Sequence, residues 1–538
     1  MTKLSFVPSI AQNRIFDWIE FGSGNAIVKA RAGSGKSTTI VQGARFIPAN
    51  EDAVILAFNA PVAKEMGTKI EALGEELGRV LSNIRASTFH SLGFGAVCKK
   101  LGRRIEIKLD GAKMHKLFQR MVVEEGGLFP DPDYSEYGTL CVEMTREFRS
   151  RMLGIYGEFV VKLAELAKGV GIGAISPDID QRWIKVIEHH CLELESTDGS
   201  EETGIALAQK LLLRSNKEAL TGSLDFHDQL YLPLLWNLRL KQYDWVIIDE
   251  AQDTNDVRRE LARRALKTGG RFIAVGDPNQ SIYGFTGAST DAMDLIATEF
   301  NTVEFPLSVS YRCSRAAIKY AQEIVPDIEA APNAREGLVV NIPMIEALKR
   351  LTSTDVVICR NTAPLVNLAF SLIASGRGCT ILGRDIGAGL VSLIKKRNAR
   401  GIEDLSTKLD QYLNRETQKL KDKGEDARAA SLADRVNCIT TVISNLHEKD
   451  RTIPALLRWL EKMFDDKTGV LSLCTGHKAK GKEWDRVAIL RPDLMPSKWA
   501  KAGWQADQEE NLQYVVRTRT RDELYITESP EVREGCRA

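Results

Sequence analysis

"AIVKARAGSGKSTTI" (26–40) runs from apolar residues into a loop with almost no side chains and then to a single lysine. Glycines at positions 33 and 35 let the backbone wrap closely, so that amide hydrogens can point at phosphate oxygens. The helix that follows such a loop adds the positive end of its dipole. The stretch therefore predicts a strand, a phosphate-binding loop and a helix within an α/β sheet.

The residue types in this loop suit a polyphosphate and its metal ion. Lys36 would reach the β- and γ-phosphates, and the Ser37 hydroxyl would bind Mg²⁺. The usual first glycine of the GxxxxGK[ST] pattern is Ala30 here, which is still a small residue. A glycine turn with a chance lysine is the alternative, and the flanking strand and helix disfavour it. The residues expected to hold the nucleotide are Ala30, Arg31, Ala32, Gly33, Ser34, Gly35, Lys36, Ser37 and Thr38.

Two carboxylates in "WVIIDE" (245–250) follow another apolar run. A carboxylate at a strand end can hold the Mg²⁺ shell, which suits Asp249. A second carboxylate beside it can polarise the attacking water, which suits Glu250. A lone Asp-Glu pair usually lies on the surface, but the P-loop earlier in the chain favours a catalytic pair here.

Similar apolar runs occur at 25–30, 53–58 and 271–277, each ended by a polar or glycine-rich turn. Such runs are typical of parallel strands that are buried on both faces. Because ligands of these sheets bind at the carboxyl ends of the strands, we expect the turns to line one site.

Composition limits the class of protein. At 538 residues the chain is too long for one core, and we expect about 3–4 domains. The content of 43% hydrophobic and 27% charged residues is ordinary for a soluble globular protein. The formal net charge is +1, so a nucleic-acid groove would have to be locally basic. Residues 1–20 do not resemble a signal peptide, and no stretch of 18 apolar residues predicts a membrane span.

Nine cysteines are scattered so that no two lie closer than 20 positions. This spacing excludes a CxxC zinc knuckle and argues against a disulfide framework, which fits a reducing compartment. His189, His190 and Cys191 offer ligand types for a metal, but a helix surface is the favoured interpretation.

The chain also shows insertions. The P-loop and the Asp-Glu pair are separated by far more residues than a sheet crossover needs, and 95–222 is mostly helical in pattern. A second α/β pattern begins near residue 303, with strand candidates at 337–343 and 354–361, and resumes after residue 468. Between these parts, 390–465 is charged and helical, and we favour a solvated helix pair there over a specific function.

Further motifs follow the P-loop in a fixed order. They are "AFNAPVAKEM" (57–66), "STFHSL" (87–92), "LDFHDQL" (224–230), "IIDEAQDTN" (247–255), "VGDPNQSIYGFTGA" (275–288), "LSVSYRCS" (307–314), "CRNTAPL" (359–365), "CTGHKAKGKEW" (474–484) and "NLQYVVRTRT" (511–520). In this series, from Gln12 to Arg519, the chain resembles superfamily-one helicases of the UvrD/Rep type. The resemblance implies an α/β fold with two RecA-like P-loop parallel-sheet domains, each with a mainly helical insertion.

We expect the first RecA-like domain to be formed by 1–94 and 223–302, with a helical insertion at 95–222 between them. The second domain is expected at 303–389 and 466–538. Its smaller helical insertion, 390–465, is roughly half the size that the resembled family commonly carries.

The resemblance also implies roles for residues around the nucleotide. Gln12 would read the adenine edge, Tyr311 would stack on the base, and Glu483 would approach the ribose. Gln280 would sense the γ-phosphate and couple it to the DNA groove. Arginines from the second domain would contact the γ-phosphate, where cations stabilise the charge of phosphoryl transfer. These arginines are Arg312 and Arg519. The alternative to a phosphate contact is that each forms an ion pair on the protein surface.

A nucleic-acid groove is the other implied site. Single strands are held by base stacking on aromatic rings and by cations along the backbone. The candidate DNA-binding residues within the motifs are Phe58, Thr88, Phe89, His90, Tyr283, Phe285, His477, Lys480 and Trp484. Lys478, Lys482 and Arg517 are further candidates for backbone phosphates. The alternative for the aromatic residues is that they pack in the hydrophobic core. For Trp484, packing in the core and stacking on a base are equally favoured.

Several positions depart from the family pattern. Phe285-Thr286 stands where the family usually has Trp-Arg, Ala60-Pro61 replaces Asn-Lys, and the last motif reads "VVRTRT" rather than "VGVTRA". Because the stacking platform and the insertion are both smaller than in the family, the sequence predicts translocation more strongly than strand separation.

The implied function is therefore an ATP-dependent DNA helicase or translocase that uses Mg²⁺ and moves 3′→5′ along single-stranded DNA. Expected partners are single strands and single-strand/duplex junctions, with the protein a monomer in the cytoplasm of a bacterium or of a virus-infected bacterial host. Repair, replication and recombination are the associated processes. Two alternatives stay open, namely a DNA-stimulated ATPase that remodels DNA–protein complexes with little unwinding, and a nucleotide-gated subunit of a larger complex. Stacking and phosphate contacts serve RNA as well as DNA.

Overall fold

The computed structural model of the protein describes residues 7–102, 104–129, 132–135, 140–190, 192, 194, 198–282, 291–422, 426–464, 470–498, 500 and 503–527. Contacts between Cα atoms divide the chain into two compact units. The second unit contains residues 30–35, 279–282 and the described residues from 307 onward, and the first unit contains the rest.

The strands, in chain order, are β1 (Asn25–Ala30), β2 (Ala53–Ala57), β3 (Ile84–Thr88), β4 (Lys108–Leu109), β5 (Ser223–Leu224), β6 (Tyr243–Ile248), β7 (Leu266–Gly276), β8 (Thr302–Leu307), β9 (Val309–Ser310), β10 (Glu329–Ala330), β11 (Leu338–Ile342), β12 (Val356–Cys359), β13 (Cys379–Ile381), β14 (Leu471–Thr475), β15 (Trp484–Leu490) and β16 (Thr520–Thr527).

The α-helices are α1 (Ile10–Phe21), α2 (Lys36–Gly43), α3 (Ala60–Glu76), α4 (Phe89–Leu101), α5 (Lys113–Gln119), α6 (Cys141–Val170), α7 (Asp180–His190), α8 (Glu201–Ala219), α9 (Asp228–Leu235), α10 (Asp256–Ala265), α11 (Ala292–Glu299), α12 (Arg315–Ala321), α13 (Met344–Arg350), α14 (Thr362–Ala374), α15 (Arg384–Lys396), α16 (Ile402–Asp422), α17 (Asp426–Asn445), α18 (Ile453–Met463), α19 (Gly476–Ala479) and α20 (Gly503–Arg517).

The first sheet has six strands in the order β3-β2-β6-β7-β1-β8. The pairs from β3 to β1 are all parallel. Every residue of β2 is buried, because helices cover both faces of such a sheet. This arrangement places the carboxyl ends of β1 and β6 at the same edge, where the P-loop and the Asp-Glu pair begin.

Helices α5 to α8 form the inserted part of the first unit. They share a core of large apolar side chains that includes Phe118, Tyr156, Trp183 and Leu211. The short strands β4 and β5 pair in parallel at the base of the insertion.

A buried network of charges fastens this insertion to the "LDFHDQL" motif. Lys168 Nζ donates to Asp225 Oδ2 at 2.6 Å and to Asp228 Oδ1 at 2.5 Å, and the Lys168 and Asp228 side chains have no exposed surface. Lys113 Nζ donates to Asp228 Oδ2 at 2.7 Å and to the Ser215 carbonyl at 3.0 Å. Buried charges are tolerated when they are paired and hydrogen-bonded in this way. Asp225 and Asp228 of this motif therefore have a structural role.

The second sheet has six parallel strands in the order β11-β16-β15-β12-β14-β13. With the first sheet, it confirms the predicted fold class of two parallel-sheet domains with helical insertions. The six predicted segment boundaries stay a prediction. Among the described residues, no helix combines the length and the low charge that crossing a bilayer requires.

The charged segment near 390–465 differs from the predicted solvated helix pair. Its described residues include the end of α15 and the helices α16, α17 and α18, and these share one core with the second sheet. Leu405 and Leu409 of α16 and Val436 and Ile439 of α17 are buried in the same cluster as Leu473 of β14. Their spacing of three or four residues forms an apolar stripe that the abundant charged residues conceal in the sequence.

Candidate functional site

The loop between β1 and α2 has the backbone that the sequence predicts. Gly33 and Gly35 have φ values of +73° and +84°, in the left-handed region where glycine carries no steric penalty. Helix α2 begins at Lys36. Ser34 is buried, and its Oγ has no hydrogen-bond partner among the described residues. Buried hydroxyls normally have a partner, so a phosphate oxygen fits this position.

Other loop residues lie at its two ends. Ala30 is the last residue of β1, and Thr38 lies in the first turn of α2. The guanidinium of Arg31 donates to Asn279 Oδ1 at 2.6 Å and to Asp327 Oδ2 at 2.6 Å, all within the second unit. Arg31 therefore holds the start of the loop.

Lys36 meets the Asp-Glu pair inside the first unit. Its Nζ lies 3.0 Å from Glu250 Oε2, and its side chain is 12% exposed. Burial lowers the pKa of Lys36, but the carboxylates of Glu250, Asp277 and Asp249 outweigh burial, so that the net pKa is raised. Lys36 is thus a cation at neutral pH and can attract a polyphosphate.

The Asp-Glu pair follows β6 in an unusual conformation. Glu250 has a φ of +51°, and its N–H donates to Asp249 Oδ1 at 3.0 Å. A left-handed residue other than glycine costs on the order of 1–3 kcal/mol and marks functional sites. Asp249 is buried, and burial, followed by the charge of Glu250, raises its pKa to about 7 against the opposing effect of Lys36. A cation beside Asp249 would favour its ionised form.

Gln252, for which no role was predicted, holds Glu250 in place, and the backbone of Asp277, also not predicted, holds Gln252. Gln252 Nε2 donates to Glu250 Oε2 at 2.6 Å, and Gln252 Oε1 accepts from the Asp277 N–H at 3.0 Å. Gln252 thereby connects the end of β6 to the turn after β7. Gln252 occurs in the motif "IIDEAQDTN" and Asp277 in "VGDPNQS". Their place in these motifs is the only feature of the sequence that could have pointed to a functional role.

Mg²⁺ was predicted at Ser37 and Asp249. Among the residues that the structure describes, no group of three or more His, Cys, Asp and Glu side chains is placed to hold a metal ion. The hydroxyl of Ser37 and the carboxylate of Asp249 are the hard oxygen donors that Mg²⁺ prefers, and Mg²⁺ commonly completes its shell with phosphate oxygens and water. The donor chemistry fits, and the ligand assignment stays a prediction.

Gln12 joins the start of α1 to α2. Its Oε1 accepts from the Ser9 N–H at 2.9 Å, which completes a capping box, and its Nε2 donates to Thr39 Oγ1 at 2.9 Å. The side chain is buried. The predicted contact with adenine remains a prediction.

In the second unit, Tyr311 and Arg312 lie beside the loop backbone. The Tyr311 N–H donates to the Gly33 carbonyl at 2.8 Å, and the Tyr311 side chain is 53% exposed. A methyl group at Gly33 would lie 2.6 Å from the Arg312 Cβ. The Ala32 N–H donates to the Tyr514 hydroxyl at 2.9 Å. Tyr514 was not predicted, although it lies in the motif "NLQYVVRTRT".

Glu483 holds two guanidinium groups in the second unit. It forms an ion pair with Arg312 and accepts from Arg521 at 2.6 Å. Burial raises the pKa of Glu483, but Arg521 and Arg312 outweigh burial, and the net pKa is lowered. Glu483 is therefore an anion, and its predicted role at the ribose is not tested by this geometry.

Arg519 differs from Arg312 in burial. It is 1% exposed, whereas the Arg312 side chain is 25% exposed. Its Nε donates to the Val515 carbonyl at 2.8 Å, and another guanidinium nitrogen donates to the Lys482 carbonyl at 3.2 Å. Arg519 is thus held in one orientation by the backbone around it.

Gln280 lies in a 3₁₀ turn, Pro278–Gln280, and is buried. Its carbonyl accepts from Lys480 Nζ at 2.7 Å, and the carbonyl of Ser281 accepts from Asn511 Nδ2 at 3.0 Å. These bonds, all within the second unit, connect three motifs.

Among the predicted DNA-binding residues of the first unit, Phe58 and His90 both lie near Arg258. The Arg258 guanidinium is 4.7 Å from the centroid of the Phe58 ring. Burial, followed by the charges of Arg258 and His227, lowers the pKa of His90 to about 4. Phe58, His90 and the unpredicted Arg258 are all partly exposed and offer a ring and a cation to a nucleic acid.

Two neighbours of His90 have structural contacts. Phe89 is 2% exposed and packs within the core of the first sheet, so the structure places it in the core rather than on a nucleic-acid surface. Thr88 caps α4, since its Oγ1 accepts from the Ser91 N–H at 3.0 Å.

In the second unit, His477 is partly buried, and burial together with the charge of Arg360 lowers its pKa to about 4. Trp484 begins β15 and packs partly buried against the core of that sheet. Tyr283 and Phe285, the remaining predicted DNA-binding residues, lie outside the described residues.

Comparison with known proteins finds two family models that together cover most of the chain. The UvrD/REP helicase N-terminal domain matches residues 12–301, and the UvrD-like helicase C-terminal domain matches residues 394–531. The order of these matches agrees with the order of the motifs.

Curated relatives agree with these matches. The probable DNA helicase II homolog of Mycoplasma genitalium is 24% identical over 328 residues, which cover 58% of this chain and 42% of that protein. The ATP-dependent DNA helicase Rep of Escherichia coli is 26% identical over 330 residues, covering 57% of this chain and 42% of that protein. The F-box DNA helicase protein 1 of Schizosaccharomyces pombe is 24% identical over 539 residues, covering 93% of this chain and 55% of that protein. The chain thus spans about half the length of these relatives.

Proposed function

Because the chain belongs to the UvrD/REP helicase family, we propose that it hydrolyses ATP and uses the energy to move 3′→5′ along single-stranded DNA. The observation that carries this proposal is the meeting of Lys36 and Glu250, 3.0 Å apart, beside the buried Asp249 at the carboxyl edge of the first sheet. The names of the relatives support the choice of ATP and DNA, since one of them is an ATP-dependent DNA helicase.

At the nucleotide, Lys36 and the loop around Ser34 bind the phosphates, and Glu250 orients and polarises the attacking water. Mg²⁺, held by Ser37 and Asp249, would neutralise charge on the phosphate oxygens. Arg312 and Arg519 supply cations for the charge that develops during phosphoryl transfer. Gln252 supports this arrangement because it fixes the carboxylate of Glu250.

On the nucleic acid, Phe58 stacks on a base while Arg258 and Lys480 face the backbone. Base stacking contributes about 1–3 kcal/mol per base and tolerates any sequence, which suits a protein that moves along a strand. We propose single strands and their junctions with duplex as the substrates, and a monomer as the acting form.

Glu250→Gln tests the proposal. It should lower the ATPase rate by about 10²–10⁴-fold, the usual contribution of a general base, and leave ATP binding intact. Glu461→Gln, an exposed change on α18, is the matched control and should behave as wild type. An unchanged ATPase rate in Glu250→Gln would show that another group activates the water.

The nucleic-acid specificity is tested by measuring the ATPase rate with single-stranded DNA, duplex DNA and RNA at several salt concentrations. We expect single-stranded DNA to stimulate the rate most and the stimulation to fall as salt rises. A rate that no nucleic acid changes would favour a nucleotide-gated subunit instead.

A second candidate function is a translocase that displaces bound proteins with little unwinding. The observation in its favour is that the described residues of α16 to α18 share one core with the second sheet. Strand displacement and streptavidin displacement, measured on matched substrates, separate the two functions. Streptavidin release without strand release would favour the translocase.

A further inference from the structure

A cavity of about 470 Å³ lies within the first unit, between α7, the turn that follows α6 and the start of α10. One face of α7 forms a wall of this cavity, because the lining residues of this helix recur at spacings of three and four. They are Arg182, Lys185, Val186, His189 and His190. Small-molecule sites have volumes of about 300–1,000 Å³, so the cavity is large enough for a small organic ligand.

Two cations of this wall are available to a ligand. The side chains of Arg182 and Lys185 are exposed, and neither forms an ion pair or a hydrogen bond with another residue that the structure describes. Within the described part of the chain, Asp256 supplies the one carboxylate of the lining. Its Oδ1 already accepts from Arg259 Nη2 at 2.9 Å. The remaining charge of the cavity is therefore positive and favours an anion.

His190, the last residue of α7, adds a polar group that lacks a partner. Both ring nitrogens are buried, and neither has a hydrogen-bond partner among the described residues. Burial, followed by the charges of His189 and Lys162, lowers the pKa of His190 to about 4, so the ring is neutral at pH 7 and has one N–H to donate. Buried polar groups normally have a partner. An oxyanion in the cavity supplies one when the ring turns about its Cβ–Cγ bond.

A second wall is apolar. Val170, at the end of α6, and Ile172 and Ile175, in the turn after it, line the cavity. The turn is held by its backbone, since the Ile175 N–H donates to the Gly171 carbonyl at 2.9 Å. Gly171 has a φ of +75°, and a Cβ there would lie 2.3 Å from Ile175 Cγ1. A wall that is fixed before binding loses less entropy when a ligand packs against it.

We propose that this cavity binds a small organic anion that carries a phosphate or carboxylate head on an apolar body. Arg182, Lys185 and His190 hold the head, since a guanidinium matches the geometry of either oxyanion. The body packs against the turn after α6. None of these residues belongs to a sequence motif or to the proposed ATP and DNA sites, so the proposal goes beyond the proposed function and is independent of it.

The test is binding of four probes to the full chain, measured by isothermal titration calorimetry. Phenyl phosphate and benzoate combine an oxyanion with an apolar ring, whereas inorganic phosphate has only the head and benzyl alcohol only the body. We expect phenyl phosphate or benzoate to bind most tightly, and the tighter of the two identifies the head group. Tightest binding of inorganic phosphate or of benzyl alcohol would overturn the combined site.

The double variant Arg182→Gln with Lys185→Gln locates the binding. Both residues are exposed, so the fold should tolerate the change. Because a hydrogen bond to a charged group contributes about 1.5–3 kcal/mol, we expect the tighter probe to bind at least about 10-fold more weakly. A probe that binds at the P-loop would bind wild type and variant equally, and that result would overturn the proposal.

The matched control is Lys210→Gln with Lys217→Gln, two exposed lysines of α8 that do not line the cavity. It has the same change in net charge and should bind the probe as wild type does. Equal weakening in both double variants would show a general effect of charge and would contradict the proposal.

His190→Phe tests the third contact, because it keeps an aromatic ring and removes both nitrogens. We expect weaker binding of the probe with no loss in the thermal midpoint, since the nitrogens it removes have no partner among the described residues. Wild-type affinity in this variant would overturn the assignment of His190 to the head. If no probe binds wild type, this proposal fails and the proposed function stands, because its tests use ATP and nucleic acids.

Discussion

Lys168 on α6 and Asp225 at the start of the "LDFHDQL" turn form a buried ion pair, with Nζ and Oδ2 2.6 Å apart. The pair is almost fully shielded from bulk water, since the side chains are 0% and 5% exposed. Its neighbours Lys113 and Asp228 complete a network of two cations and two anions. The helical insertion and the first sheet domain therefore share a buried polar connection in addition to apolar packing.

Lys168→Met should destabilise the first domain strongly. The change leaves Asp225 and Asp228 buried with only Lys113 to balance them, and removing one partner of a buried pair costs about 3–5 kcal/mol. The measurement is the midpoint of urea unfolding. Lys162→Met, on the exposed face of the same helix, is the control and should shift the midpoint little. Equal midpoints for the two variants would mean that the network contributes no net stability.

Gln252→Ala should lower the rate of ATP hydrolysis about 10-fold with little change in the KM for ATP. Gln252 touches Glu250 and the Asp277 N–H, so its loss frees the proposed base without removing a proposed phosphate contact. Displacing a catalytic group by about 1 Å can cost up to 10²-fold. Gln181→Ala, an exposed change on α7, is the control. A large rise in KM with a normal kcat would assign Gln252 to substrate binding instead.

Gly33→Ala should abolish nucleotide binding, because Gly33 has a positive φ and a Cβ there would lie 2.6 Å from the Arg312 Cβ. Gly67→Ala is the matched control, since nothing lies within 4 Å of a Cβ at that position in α3. The control should be neutral or more stable by about 0.5–1 kcal/mol. Binding of a fluorescent ATP analogue and the thermal midpoint, measured for both variants, check these outcomes. Normal binding by Gly33→Ala would show that the loop can change its path.

Features that depend on neighbouring residues in the chain could be predicted from the sequence, whereas contacts between residues far apart in the chain could not. The strand ends at Ala30 and Ile248 were predictable because apolar runs and the turns after them are local. The core position of Phe89 was not, since the same motif also contains a partly exposed His90, and the direction of each side chain depends on how α4 packs. The network of Lys168 joins residues that are far apart in the chain, which spacing cannot reveal.

The stability of the first domain should fall as the pH is lowered from 7 toward 4, in part because of His90. Its pKa is about 4 in the folded protein, against an ordinary value of 6.5, so between these values the unfolded chain binds a proton that the folded protein does not. The contribution of His90 is thus fully present above pH 6.5 and is lost on acidification. Since the ring is partly exposed, we expect it to amount to about 1 kcal/mol. Urea unfolding of wild type and His90→Gln at pH 7.5 and pH 5 measures it. The loss of stability between the two pH values should be smaller in His90→Gln, and an equal loss would mean that the folded protein does not lower the pKa of His90.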